Sequence, residues 1–283
     1  MINFTKNEKN FPIIISRSVL PALICALINK KIILEIHTEL RGFTKFFFKF
    51  FKFFKFMNNI KFILIHKNLK DILKLKATDS IVLDDCVDIR DFDKKFIKKK
   101  TCAYTGSFVK GKGIDVIIET AEILKNTKFY LYGNIKTLDQ NTYNLIKEKK
   151  NIILNNFVEY NKIPKILMQN KILLMPYEKE VGVLIKNLNV SDYISPLKLF
   201  DYLASGSIIL ASQKKVYAHV LKNNFNSVLI NSFNGRAWAK KIYEIQTNKI
   251  KTSHLRKNSI LTAKKFSWVK RAENIIKFSN QKN

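Results

Sequence analysis

Short apolar runs recur along the chain, and between them lie stretches where apolar residues return every three or four positions. The runs at 12–16, 31–37, 61–66, 80–84, 102–108, 129–133, 151–156, 171–176, 207–212 and 227–230 have the length of strands. They lack the alternation of a half-exposed sheet, as strands covered on both faces do. Helical periodicity predicts helices over 18–29, 44–57, 67–74, 114–125, 137–148, 161–169, 196–205, 214–222, 235–247 and 266–279. Strand–helix alternation of this kind predicts an α/β fold built on parallel sheets. The polar stretch "DDCVDIRDFDKKFIKKK" (84–100) parts two such series. It predicts a first domain over 1–88, a second over 89–265 and a closing helix over 266–283.

One helical segment is unusual. In "KFFFKFFKFFKF" (45–56) the lysines Lys45, Lys49, Lys52 and Lys55 are spaced by four, three and three residues. On a helix they form a stripe about 120° wide, and phenylalanines cover the other ~240°. Two readings stay open for the aromatic face. It packs on a sheet of its own domain while the lysines are solvated, or part of it, with Phe47, Phe51 and Phe54, enters a lipid interface while the lysines meet acidic headgroups. Each buried Phe is worth roughly 1.5–3 kcal/mol in either setting, so burial alone does not choose. The width of the aromatic arc, more than one sheet covers, favours the second.

Composition narrows the partners. The formal net charge is +29 in 283 residues, and of the 51 Lys and Arg residues only six are arginines, at 17, 41, 90, 236, 256 and 271. The field favours anionic partners such as phosphates or acidic lipid. Scarce arginine and the absence of a helix-turn-helix, zinc-finger or RNA-binding signature argue against specific nucleic-acid recognition. Cys25, Cys86 and Cys102 are odd in number and widely spaced, which suits reduced thiols in a cytoplasmic protein. The start has no signal-peptide pattern, and no stretch of about 18 apolar residues runs without a charge.

Ligands of doubly wound sheets sit beyond the carboxyl ends of the strands, near helix N-termini. In "SPLKLFDYLASGSIILAS" (195–212) a helix opening at Pro196, with Ser195 as its N-cap, would present N–H groups and Lys198 to an anion. Asp201, one turn on, could accept from sugar or ribose hydroxyls; the plain alternative is an ordinary capped helix.

That stretch resembles the donor-site motif of the family-4 glycosyltransferases, retaining enzymes of the GT-B fold. "YTGSFVKGKGIDVIIETAEIL" (104–124) is similar to the loop and lysine–glycine turn that open the family's C-terminal domain. "NFVEYNKIPKILMQNKILLMPY" (156–177) resembles its nucleobase-holding unit, "VLDDCVDIRDF" (82–92) its interdomain stretch, and "FSWVKRAENIIKF" (266–278) its closing helix. The resemblance implies two Rossmann-like domains, the first incomplete, because "FPIIISRSVLPALICALINKKIILEIHTE" resembles only the middle of the family's N-terminal domain. Half a Rossmann sheet would leave an open edge and an exposed apolar face.

By the same resemblance Lys112 holds the donor diphosphate and Ser195, Pro196, Leu197 and Lys198 form the phosphate and sugar loop. Asp201 binds ribose, Val158 lies in the nucleobase loop, and His37 lies near the transferred sugar. Catalysis would fall to His37, Lys112 and Lys198. There are departures. Tyr193 stands where the family's first glutamate would fall, and Ser107 replaces an arginine beside the diphosphate, with Lys110 a substitute for its charge. Asn156, Lys171 and Cys86 replace a common Gly, Asp and Gly. The implied reaction moves a sugar from a nucleotide-diphosphate sugar to a glycan or lipid-linked acceptor in cell-envelope polysaccharide synthesis, at the cytoplasmic face of a membrane and without a metal cofactor. "DFD" (91–93) has metal-binding spacing but reads as a solvated loop. A truncated chain that only binds nucleotide is the alternative, and a basic polyanion-binding protein a third.

Overall fold

The computed structural model describes residues 14–28, 31–93, 99–183 and 188–281. Residues 12–13 of the first expected strand and 94–98 of the expected connection lie outside them. The chain divides into two compact units, Met1–Asp84 with Val269–Asn283, and Asp85–Trp268.

The first unit holds a parallel sheet of β1 (Ile14–Ser16), β2 (Ile32–Ile36), β3 (Ile60–Leu64) and β4 (Ser80–Val82), paired in chain order. Helices α1 (Val19–Leu27), α2 (Gly42–Phe53) and α3 (Lys67–Leu73) connect the strands. Side chains alternate across the sheet, so Ile33 and Ile63 pack with Ile275 on one face. Ile275 belongs to the final helix, α10 (Trp268–Ser279). Arg271 ties that helix down: its Nε donates to the Asp84 carbonyl and its guanidinium pairs with Glu35, both at 3.0 Å. Lys61 donates to the carbonyls of Phe278, Ser279 and Gln281, a cation on the terminal carbonyls where the helix dipole is negative. His66 opens α3 by accepting the Asn68 N–H at its Nδ1, 3.2 Å.

The phenylalanine segment corrects the sequence reading in three ways. α2 ends at Phe53, and Lys55 lies beyond it with φ +57°, so the basic stripe keeps only Lys45, Lys49 and Lys52. Phe51, expected to face lipid, is buried, as is Phe48, whose ring meets Phe62 of β3 edge-on at 5.9 Å. Lys52 is tethered, donating to the Leu73 and Lys74 carbonyls at the end of α3, at 2.9 and 2.6 Å.

The second unit is a six-stranded parallel sheet. Its strands are β5 (Lys99–Thr105), β6 (Phe129–Tyr132), β7 (Ile152–Asn155), β8 (Asn170–Met175), β9 (Ile208–Ser212) and β10 (Val228–Ile230), in the order β10-β9-β8-β5-β6-β7. Strand order reverses between β5 and β8, a doubly wound switch point. The helices are α4 (Ile114–Ile123), α5 (Gln140–Glu148), α6 (Ile163–Gln169), α7 (Leu197–Ala204), α8 (Gly235–Gln246) and α9 (Ser253–Ala263). The core gathers Cys102, Phe129, Leu131, Ile172, Leu210 and Trp238, and all three cysteines are free thiols.

Two helix expectations fail here. The stretch 214–222 forms only a 3-10 turn, Lys215–Tyr217. The Asn226 carboxamide takes the Val220 carbonyl and the Lys222 N–H, groups that a longer helix would pair within itself. Conversely α9 was not expected, because its buried stripe is Leu255, Ser259 and Ala263, two of them small. No helix among the described residues is long and apolar enough to cross a membrane.

Candidate functional site

At the switch point the β5–β8 ladder runs as far as Ala103–Leu173. Beyond it the Tyr202 hydroxyl of α7 wedges between the strands, accepting the Thr105 N–H at 3.0 Å and donating to the Leu174 carbonyl at 3.4 Å. Past that wedge the chain leaving β5 runs through Gly106 and Ser107 to the turn Gly111–Lys112–Gly113, which opens α4. Glycine is required at both ends of this turn. Gly111 and Gly113 have φ +83° and +76°, and a Cβ would lie 2.1 Å from the Glu180 carbonyl oxygen and 1.9 Å from that of Pro176. The turn is thus pressed against the segment that follows β8.

This packing sends two lysines into one apolar spot. The Nζ of Lys112 lies 4.6 Å from the ring centre of Tyr177, just after β8. The Nζ of Lys198, in the first turn of α7, lies 3.7 Å from the ring centre of Tyr104 and 5.5 Å from that of Tyr177. The Tyr104 hydroxyl donates to the Ser107 carbonyl at 2.7 Å, which fixes the ring under the ammonium. Gly106 leaves the room, since a Cβ there would sit 2.6 Å from Lys198 Nζ. Lys198 as a whole is half-buried, but its Nζ is fully buried without a hydrogen-bond partner among the described residues. Burial, then the charge of Lys112, push Lys198 well below the ordinary lysine range. Burial, then Lys214, bring Lys112 down to about 8. Such a pair favours a multivalent anion, whose charge would restore full protonation.

Asp201 faces inward from α7 and accepts the Tyr160 hydroxyl at 2.9 Å. Burial raises its carboxyl to about 7 against the opposing pull of that bond, and Asp91 adds to the rise. Tyr160 stands in the 3-10 turn after β7, close along the chain to the half-buried Val158. Ser195 is not the N-cap of α7. Pro196 takes that place, and the Ser195 hydroxyl accepts the Asp85 N–H at 3.0 Å. Proline has no N–H, so Leu197 and Lys198 are the first amide donors of the helix.

Of the residues singled out in the sequence, the structure brings Lys112 and Lys198 together at Tyr177, with Ser107 tied to the same site through Tyr104. His37 lies in the first unit at the end of β2, its Nε2 hydrogen-bonded to Glu35 at 2.6 Å. Burial works to raise the Glu35 carboxyl, but His37 and Arg271 outweigh it and hold it below its ordinary value. Tyr193 is buried, its hydroxyl donating to the Asn189 carbonyl at 3.3 Å. Asp91 lies in a 3-10 turn, and among the described residues no three His, Cys, Asp or Glu side chains come together to hold a metal ion. Sequence reasoning missed Tyr104, Tyr177, Tyr160 and Lys214. Lys214 follows the end of β9, and its ammonium donates to the Glu178 and Lys179 carbonyls. The carboxyl-end rule was the signal for Tyr177 and Lys214, since each lies within a few residues of a strand end.

Two parallel sheets, one doubly wound with buried cations at its switch point, define the GT-B class of fold. Solved structures share it. TarM matches with a TM-score of 0.64 at 18% identity, over 89% of this chain and 50% of TarM, so the chain spans half of that protein's length. Anabaena Alr3699/HepE in complex with UDP matches with a TM-score of 0.74 at 11% identity, over 98% of this chain and 80% of that one. Sucrose-phosphate synthase from Thermosynechococcus elongatus gives 0.69 at 12% identity, over 97% and 75%. None of the curated proteins matches the chain. The family "Glycosyl transferases group 1" matches residues 88–266, and the chain belongs to it.

Proposed function

We propose that the chain is a retaining glycosyltransferase that moves a sugar from a UDP-sugar to a hydroxyl of a glycan or lipid-linked acceptor. The observation that carries the reading is the convergence of Lys112 and Lys198 at the carboxyl ends of β5 and β8. A departing nucleoside diphosphate gathers negative charge there, and positioned cations and amides are the groups that stabilise it. Uridine is the base proposed, because Alr3699/HepE is solved with UDP and the pneumococcal O-GlcNAc transferase GtfA with UDP and GlcNAc. Asp201 would take the ribose hydroxyls, exchanging the Tyr160 hydroxyl for them, and the loop holding Val158 would face the base.

The chemical step follows from this inventory. The bond from the anomeric carbon to the diphosphate oxygen breaks, and Lys112, Lys198 and the amides of Leu197 and Lys198 hold the charge left on that oxygen. The acceptor hydroxyl attacks from the face the diphosphate leaves, and its proton passes to the departing oxygen. Tyr193 in place of the family's first glutamate removes the carboxylate pair that a covalent route would use. His37 is assigned to the transferred sugar by the family pattern alone. The setting proposed is cell-envelope polysaccharide synthesis at the cytoplasmic face of the membrane.

The test is transfer of label from radioactive UDP-sugars to a lipid and glycan extract by the chain and by Lys112→Ala. Label incorporated by the first and lost in the second supports the reading. A folded chain that binds UDP but transfers nothing supports the nucleotide-binding alternative.

A further inference from the structure

The phenylalanine helix takes no part in the donor chemistry, yet it carries the most apolar exposed surface of the first unit. Phe43 and Phe53 are 82% and 80% exposed, and Phe46, Phe50, Phe54 and Phe56 are exposed beside them. The rings touch one another, with centres 4.6 Å apart for Phe50–Phe54, 5.1 Å for Phe53–Phe54 and 5.8 Å for Phe54–Phe56. At about 100° per residue, the exposed rings of α2, Phe47 among them, fill a sector ~120° wide on the side turned away from the buried Phe48 and Phe51. Lys45, Lys49 and Lys52 form the neighbouring sector, between the core and the exposed rings. Beside them is a hollow of about 490 Å³ lined by Lys45, Lys49, Lys52 and Lys74, with Glu39 its acidic residue.

We propose that α2 and the turn after it dock the chain onto an anionic lipid bilayer, with the exposed phenylalanines in the interface and the lysine-lined hollow receiving lipid phosphates. The charge pattern chooses this occupant. A lipid surface offers hydrocarbon and phosphate side by side, at the spacing of an amphipathic helix. A second copy of the chain would set lysine stripes near each other in a two-fold contact, where like charges oppose association. The inference deepens the acceptor reading by naming a bilayer as partner. Its readout is vesicle binding and not sugar transfer, so either can fail alone.

The experiment is co-sedimentation of the whole chain with phosphatidylcholine vesicles, with and without phosphatidylglycerol. It is repeated for F46S/F50S/F53S, for K45Q/K49Q, and for the charge-matched K125Q/K165Q in the second unit. The chain is expected to sediment with the anionic vesicles. The phenylalanine variant should bind at least ~10-fold more weakly. The α2 lysine pair should lose about 25-fold, roughly fivefold per lysine at an anionic surface, and the control pair much less. All the changed side chains are exposed, and unchanged melting confirms folding. No binding by a folded chain overturns the proposal. So does equal binding by the phenylalanine variant, which would leave diffuse positive charge as the cause, or equal loss in both lysine pairs. Gel filtration in which F46S/F50S/F53S turns an oligomer into a monomer while vesicle binding persists would assign the face to a second copy and overturn it too.

Discussion

Replacing Lys198 by methionine separates a ligand-binding lysine from a structural one. The stem keeps its length, while the buried Nζ, which has no hydrogen-bond partner among the described residues, disappears. A buried polar group without a partner costs about 1–3 kcal/mol. Because the amine is charged, the cost lies above ~3 kcal/mol, and the desolvated contact with the Tyr104 ring offsets about 2 kcal/mol of it. A net gain of about 1 kcal/mol in a unit of this size raises Tm by ~2–4 °C. The sign with pH follows from the lowered lysine. The unfolded chain holds this proton up to near its ordinary value of 10.5 and the folded chain releases it earlier, so the cost is present below that value and fades as pH rises toward it. K198M should therefore melt higher than wild type at pH 7, with the gap closing toward pH 10. With UDP at 100 times its Kd the wild type should gain about 2.7 kcal/mol, and K198M little. Differential scanning fluorimetry with and without UDP reads both effects. A K198M chain that melts lower without ligand, or that UDP still stabilises as it does the wild type, would refute the reasoning.

Three further outcomes are expected. Asp201→Asn removes a carboxyl that holds its proton up to about 7 when folded against 3.8 ordinarily. Its penalty grows as pH rises from about 4 to 7, so the variant should gain roughly 2–4 kcal/mol at pH 8 and about 1–2 at pH 5 in urea melts, while binding UDP more weakly. Gly113→Ala puts a Cβ 1.9 Å from the Pro176 carbonyl oxygen at φ +76°. It should cost more than about 2 kcal/mol by thermal melting and abolish UDP binding, since it displaces Lys112. Arg271→Met leaves the Glu35 carboxylate without its 3.0 Å partner. With His37 still bonded to that carboxylate, it should destabilise the first unit by about 1–3 kcal/mol in denaturant melts and leave UDP affinity unchanged.

The sheets were legible because most strands are dense in Ile, Leu and Val, and β2, β3, β8 and β9 are buried on both faces, so such a run announces itself without long-range information. The stripe of α9 could not be read that way, since Ser259 and Ala263 bury as small residues against their neighbours. At 214–222 apolar spacing suggested a helix, but a carboxamide just past its end, that of Asn226, took the backbone groups. Lys112, Lys198 and Asp201 were visible through the family's motifs. Their aromatic partners were not, because Tyr104 reads as an ordinary strand residue and Tyr177 meets both lysines only once α7 folds across the switch point. Periodicity gave the phenylalanine helix an aromatic face but not which part is core. Phe62 of β3 decides that by seating Phe48.

The central claim is that the lysine pair exists to hold a diphosphate. Isothermal titration calorimetry with UDP, and then with uridine, on the wild-type chain and on Lys112→Ala tests it most directly. UDP should bind the wild type, uridine at least ~100-fold more weakly, and Lys112→Ala should lose most of that difference, in keeping with strong charge-assisted contacts. Equal affinities for UDP and uridine, or a UDP affinity unchanged in Lys112→Ala, would contradict it.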